Sequence, residues 1–208
     1  MTKCVIIPAF IEGELKELFK GFENEYVICA DGGYKKAFDA GIRPDLIIGD
    51  FDSYGGDLPS DIPIERLPVE KDDTDTGRSV AFAIEEGFTD ITILGGIGGR
   101  FDHTMANVQT LAGACDKGIN IRMISDGNEI TVVKNGTIVV KERPGWKLGV
   151  FSLSETATGI DLEDVYYSLK NAALTRLFPL GVSNEFLPGK DAKITVKDGM
   201  LLVVVSKD

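Results

Sequence analysis

The chain has 208 residues, 43% hydrophobic and 26% charged, an ordinary balance for a folded protein and unlike that of a disordered one. Its formal net charge of -11 argues against nucleic-acid and anionic-membrane partners, because phosphate groups are drawn to basic surfaces. The length suits one larger domain and a smaller one, and an acidic enzyme that handles a nucleotide needs divalent cations and a few placed Arg or Lys as local compensation.

The opening segment MTKCVIIPAF carries no long apolar run followed by a cleavage site, and no stretch of about 18 apolar residues occurs, so the cytoplasm is the expected compartment. Up to about Ser125, short β-branched runs (VIIP, YVICA, DLIIGD, ITILGG, IRMIS) alternate with helix-like stretches around Glu12 to Phe19, Lys35 to Ala40, Thr76 to Glu86 and Asp102 to Cys115. Unbroken apolar strands between helices indicate a mostly parallel sheet covered on both faces, whose ligands bind at the carboxyl ends of the strands. From Gly127 the helical period is lost, and turn signals such as KNG, RPG, LPG and KDG separate what reads as about eight short strands, a sandwich or barrel. The fold class is therefore α/β: a three-layer N-terminal domain over residues 1–126, then an all-β sandwich domain over 127–208. Cys4, Cys29 and Cys115 show no CxxC spacing and read as core thiols.

The polar clusters fall where strands stop. Asp31 follows YVICA, Asp50 and Asp52 follow DLIIG, and Gly95 to Asp102 follow ITIL. Residues two apart in an extended segment point the same way about 7 Å apart, so Asp50 and Asp52 face a common point. Two such charges repel by about 2 kcal/mol at an effective dielectric near 20, and Asp31, Asp72, Asp73 and Asp75 add to that cost. Mg²⁺ suits aspartates on loops with a nucleotide as co-ligand, and no calcium loop is present. Each Asp read singly is also consistent with solvated surface, and a D-x-D after an apolar strand also serves nucleotide-sugar glycosyltransferases.

Thr74, Asp75 and Thr76 open a helix, where capping and function are equally open readings for Asp75. Lys71 and Arg78 are solvated charges or, beside the acid cluster, phosphate ligands. GGIGGRFDH places four glycines between a strand and a helix, so that backbone N–H groups, those of Gly98 and Gly99 among them, can approach a phosphate chain and Arg100 can bind it. It matches neither a Walker A loop nor the dinucleotide fingerprint. Asp102 reads as a cap for the following helix. His103, the only histidine, reads as a polar contact at the helix start, and no serine-histidine arrangement or zinc ligand set is present.

Taken together, ADGG at 30–33, RPDLIIGDFDS at 43–53, KDDTDT at 71–76 and GGIGGRFDHTMANVQTL at 95–111 resemble the thiamine pyrophosphokinase family over the whole length of the chain. The resemblance implies a nucleotide-binding α/β domain, a thiamine-binding β-sandwich and a homodimer with thiamine held between subunits. It implies ATP as co-substrate, with the pyrophosphoryl group passing to the thiamine hydroxyl and AMP leaving. By the same resemblance Asp50, Asp52 and Asp75 hold Mg²⁺ and, with Arg100, act in catalysis. Asp31, Gly32, Lys71, Asp72, Thr74, Arg78, Gly98, Gly99, Asp102 and His103 surround ATP. Tyr167, in Tyr-Ser-Leu where some relatives have Trp-Asn-Leu, stacks on thiamine, and Ser183 and Asn184 hydrogen-bond its aminopyrimidine. The chain departs from many members at Tyr34-Lys35, and Trp146 reads as packing. A metal-dependent nucleotidyl or glycosyl transferase and a non-catalytic nucleotide sensor are the rival readings.

Overall fold

The computed structural model describes residues 2–51, 59–68 and 73–207, so Asp52, Lys71 and Asp72 lie outside the described residues. The fold is mixed α/β, and the chain divides into two compact units, Met1–Asp126 and Gly127–Asp208.

In the first unit the elements run β1 (Lys3–Ile7), α1 (Leu15–Leu18), β2 (Tyr26–Ala30), α2 (Gly33–Asp39), β3 (Leu46–Gly49), β4 (Ile64–Arg66), α3 (Asp75–Glu85), β5 (Asp90–Leu94), α4 (Phe101–Asp116) and β6 (Asn120–Ser125). Every pairing among these strands is parallel, in the order β6-β5-β1-β2-β3-β4. The apolar runs VII, VICA, LIIG and ITIL are buried throughout, as strands covered on both faces must be. Burial also suppresses thiol ionisation: the Cys4 thiol is pushed up to about 12, chiefly by loss of water and further by Glu25 and Asp90. Cys29 is buried likewise, whereas Cys115 is only half-buried.

Two expectations change here. The helix expected from Glu12 to Phe19 shrinks to the single turn α1, because Gly13 (φ 92°) and Gly21 (φ 90°) bracket it and Glu14 at its N-cap offers no side-chain cap. Strand β4 was not anticipated, since IER has too few apolar residues to show a period.

The second unit holds β7 (Asn128–Val140), β8 (Trp146–Ser152), β9 (Thr156–Glu163), β10 (Leu169–Thr175), β11 (Gly181–Glu185) and β12 (Ala192–Lys207). Their pairings are all antiparallel, and period-two burial along β8 and β12 turns one row of side chains into a core that includes Leu148, Val150, Ile160, Leu162, Ile194 and Leu201. The first half of β12 pairs with β9 and the second half with β8, while β7 accompanies both halves.

Instead of about eight short strands, the described residues of this unit form six, two of them long. The expected breaks at KNG and KDG are irregularities inside β7 and β12. Asn135 takes φ 45° and Gly199 φ 111°, and the register shifts between Val196 and Met200. Asn135 Oδ1 accepts the Gly199 N–H at 2.8 Å, so the two turn-forming residues face each other as a bulge and the strands run on.

Candidate functional site

In the first unit β1 leads to β2, β3 and β4 on one side and lies beside β5 and β6 on the other, so the strand order reverses at β1 and β5. A crevice outside the carboxyl ends of the strands opens at such a switch point. A cavity of about 300 Å³ lies there. It is lined by Pro8, Ala9 and Phe10 after β1, by Ala30 and Asp31 at the end of β2, and by Gly96, Gly98 and Arg100 after β5. Asp73 to Thr76 at the start of α3 and His103 and Asn107 of α4 complete it.

Local backbone geometry presents these groups. Asp31 sits at φ 46° and Phe51 at φ 57°, in the left-handed region that non-glycine residues enter only where the surroundings hold them. The Asp31 N–H is donated to the Ile48 carbonyl at 2.7 Å, which ties the end of β2 to β3. Gly33 must be glycine, because a Cβ there would stand 2.1 Å from the Ile7 carbonyl oxygen. The ADGG segment thus turns sharply at the end of β2 and leaves Asp31 at the cavity.

At α3 the two roles open for Asp75 separate. Thr74 is the N-cap, its Oγ1 accepting the Gly77 N–H at 2.9 Å, so Asp75 is not needed as a cap and lines the cavity. Asp73 receives the Thr74 N–H at 2.7 Å, and its carboxylate lies so close over Gly77 that a Cβ there would meet Oδ1 at 2.2 Å. Asp31, Asp73 and Asp75 therefore all line the one cavity. Carboxylates beside an open space are the donor type that Mg²⁺ takes, but among the described residues no group of three or more His, Cys, Asp or Glu side chains comes close enough to hold a metal ion.

Arg100 is the N-cap residue of α4 and lines the cavity, with its side chain 72% exposed. Its Nη2 and Nε donate to Asp102 at 2.6 and 3.2 Å. This fork holds the Asp102 carboxyl below the usual carboxylate range and raises Arg100 in turn. Asp102 is not the cap expected of it. It lies inside the first turn, where it accepts the His103 N–H at 3.0 Å, and it is absent from the described cavity wall.

Other expected positions fall elsewhere. Arg78 does not reach the cavity: its Nε and Nη2 donate to Glu65 at 3.1 and 2.9 Å and its Nη1 to Glu85 at 3.0 Å, so two acids hold the guanidinium to the outer side of α3. Asp50 stands one residue beyond β3, half-buried, outside the described lining, as do Gly32 and Gly99. The N–H of Gly98, expected to approach phosphate, is donated to Thr104 Oγ1 at 3.1 Å. Lining residues that sequence reasoning did not select as site residues include Pro8, Ala9, Phe10, Thr76 and Asn107. Asn107 lies one helical turn beyond His103, a spacing that puts both on one face of α4 and could have marked it.

In the second unit Tyr167 is 62% exposed and packs edge-on to Tyr166 with ring centroids 4.9 Å apart. Ser183 is exposed and left-handed at φ 58°. Asn184 behaves otherwise than expected. It is 3% exposed, its Oδ1 accepts the N–H groups of Tyr167 and Glu185 at 2.9 Å each, and its Nδ2 donates to the Tyr167 carbonyl at 2.8 Å. The amide is spent on holding the Tyr167 backbone.

Comparison with known proteins adds to this geometry. A family model described as thiamin pyrophosphokinase, catalytic domain, matches residues 17–123, and one described as thiamin pyrophosphokinase, vitamin B1 binding domain, matches 135–201. The chain is 30% identical over 196 residues to the thiamine pyrophosphokinase of Bacillus subtilis (strain 168), an alignment covering 90% of this chain and 91% of that protein. The crystal structure of thiamine pyrophosphokinase from Bacillus subtilis matches with a TM-score of 0.86 at 26% identity, covering 99% of each chain. That of thiamin pyrophosphokinase from Geobacillus thermodenitrificans matches with a TM-score of 0.84 at 27% identity, covering 99% of this chain and 98% of the other.

Proposed function

The chain belongs to the thiamin pyrophosphokinase family and is an enzyme of that type, and on this premise we propose how its two units divide the work of moving the pyrophosphoryl group of ATP to the hydroxyl of thiamine. The first unit, read as a three-layer α/β domain, binds ATP. The second, read as a β-sandwich, binds thiamine. One observation carries the assignment of the nucleotide: a cavity at the strand-order reversal is lined by three aspartates, Asp31, Asp73 and Asp75, by Arg100 and by a glycine loop.

In this reading Asp75, with Asp50 and Asp52 following β3, would hold Mg²⁺ on the triphosphate, and Asp31 lies beside the nucleotide. Bound Mg²⁺ supplies neutralisation of phosphate charge that an acidic cavity cannot supply itself. Arg100 exchanges Asp102 for phosphate oxygens, a swap its exposure permits, and His103 is a polar neighbour on the same wall. The thiamine hydroxyl attacks the β-phosphorus in line and AMP leaves with the α-phosphate. Positioning and charge neutralisation account for the acceleration, and a loose transition state asks little of a base. Gly32 and Gly99 permit backbone approach, and Lys71 and Asp72 complete the phosphate side.

On the thiamine side Tyr167 offers an exposed ring for stacking and Ser183 an exposed hydroxyl, while Asn184 acts by shaping the Tyr167 backbone. The exposed apolar side chains Tyr166, Leu177, Phe178, Leu180 and Val182 support a homodimer that covers them, with thiamine at the subunit interface. The buried thiols Cys4 and Cys29 favour a reducing compartment, the cytoplasm. The deciding experiment incubates the protein with ATP, Mg²⁺ and thiamine, with and without EDTA, and resolves the products. Thiamine diphosphate and AMP in equal amounts, lost with EDTA, are expected; ADP with thiamine monophosphate would sink the mechanism.

A further inference from the structure

A loop built on glycine is costly to hold in one shape, since glycine loses the most conformational freedom on ordering. Gly95, Gly96, Gly98 and Gly99 all take positive φ, at 117°, 78°, 95° and 61°. Gly96 and Gly98 are nonetheless held by one face of α4. The Thr104 hydroxyl accepts the Gly98 N–H at 3.1 Å and donates to the carbonyl of the same residue at 3.3 Å. Three positions on, and so adjacent on the helix surface, Asn107 Nδ2 donates to the Gly96 carbonyl at 2.8 Å from a position only 5% exposed. From the other side the Gly96 N–H is donated to the Phe10 carbonyl at 2.8 Å and that of Gly95 to the Ile124 carbonyl at 2.7 Å. A Cβ on Gly96 would stand 2.8 Å from Asn107 Nδ2, so no larger residue fits beneath that amide.

The N–H groups of Gly95, Gly96 and Gly98 are therefore committed inside the protein. The Gly98 N–H and the carbonyls of Gly96 and Gly98 tie the loop to α4, whose N-cap is Arg100. We propose that Thr104 and Asn107 are positioning residues that lock the glycine loop to α4 and so hold Arg100 in place to receive the phosphates of a nucleoside triphosphate. The inference rests on the nucleotide reading of the cavity and deepens it. A guanidinium on a pre-ordered helix start loses little freedom on binding, whereas one on an unpinned glycine loop must be ordered at the cost of affinity.

The test uses the full chain and three variants: Thr104→Val, which keeps the shape and removes both hydroxyl bonds; Thr104→Ser, which keeps the hydroxyl; and Thr110→Val. Thr110 lies on the same helix, and among the described residues its hydroxyl bonds only to the Ala106 carbonyl within that helix, at 3.0 Å. Calorimetric ATP affinity with Mg²⁺, and KM for both substrates, are measured. Thr104→Val is expected to weaken ATP binding about tenfold, the scale of losing two hydrogen bonds of ordinary net strength. KM for thiamine should stay within about twofold, and Thr104→Ser and Thr110→Val should match wild type within the same margin, as side chains without the loop contact are expected to do. Unchanged ATP affinity in Thr104→Val, an equal loss in Thr110→Val, or failure of serine to rescue would each overturn the proposal. If Thr104→Val does not fold, Asn107→Ser removes the contact to Gly96 and answers the same question. Thiamine turnover by wild type tests the parent reading, while the variant-to-wild-type ratio of ATP affinity tests the pin, so the two fail separately.

Discussion

Asp75 and Arg78 stand three positions apart in α3, and the structure gives them opposite roles. Asp75 is released from capping by Thr74 and lines the cavity, while Arg78 is held by Glu65 and Glu85. Asp75→Asn keeps the size of the side chain and removes the charge. Turnover is expected to fall by at least about a hundredfold, as when a strong electrostatic contact to the transition state is lost, with the thermal midpoint unchanged or raised by relief of carboxylate repulsion. Arg78→Ala should do the reverse. Two partly exposed ion pairs contribute about 1 kcal/mol together, so denaturant midpoints should drop slightly while KM for ATP stays within about twofold of wild type. Kinetics and chemical denaturation on the same two variants decide the matter, and a large rise in KM for Arg78→Ala would return that residue to the phosphate site.

At the scale of elements, the paired irregularity of β7 and β12 joins two turn signals into one continuous ladder. Gly199 at φ 111° has no room for a side chain, since a Cβ would stand 2.9 Å from Ala157 Cα and Cβ. Gly199→Ala should therefore destabilise the second unit by about 2 kcal/mol, the cost of a strained left-handed residue combined with the displacement of a packed neighbour. Equilibrium denaturation followed by Trp146, the sole tryptophan and a residue of that unit, measures it. The same feature shows where sequence reasoning stops. KNG and KDG carry true local information, because Asn135 and Gly199 do adopt left-handed backbone, but whether such a residue ends a strand or bulges it depends on its cross-strand partner some sixty positions away. The parallel sheet was legible because its strands are apolar on both faces, and the acids at strand ends were legible because that topology gives them an address. The fate of Arg78 was not, since Glu65 lies on β4, which has no apolar signature. Asn107 was hidden for a similar reason: its donor matters only once the glycine loop is folded onto α4.

For the molecule as a whole, 33 acidic residues against 22 basic ones leave a net charge that opposes ATP, itself an anion. Long-range repulsion is screened over about 10 Å at 0.1 M salt, whereas a close contact such as that of Arg100 with phosphate is screened less once water is excluded. Removing divalent cations should therefore expose the global term. In EDTA, ATP binding is expected to be weak and to tighten as NaCl rises from about 10 to about 100 mM, because salt relieves repulsion between like-charged partners. With Mg²⁺ in excess the nucleotide carries less charge, the three cavity carboxyls are offset, and the dependence should flatten. A nucleic-acid-binding surface gives the opposite slope, since added salt competes with its contacts. Titration calorimetry at a series of salt concentrations, with and without Mg²⁺, reads both slopes. Binding that weakens with salt in EDTA would mean that local cations around the glycine loop outweigh the acidic body of the protein, and that the metal serves the chemistry more than the encounter.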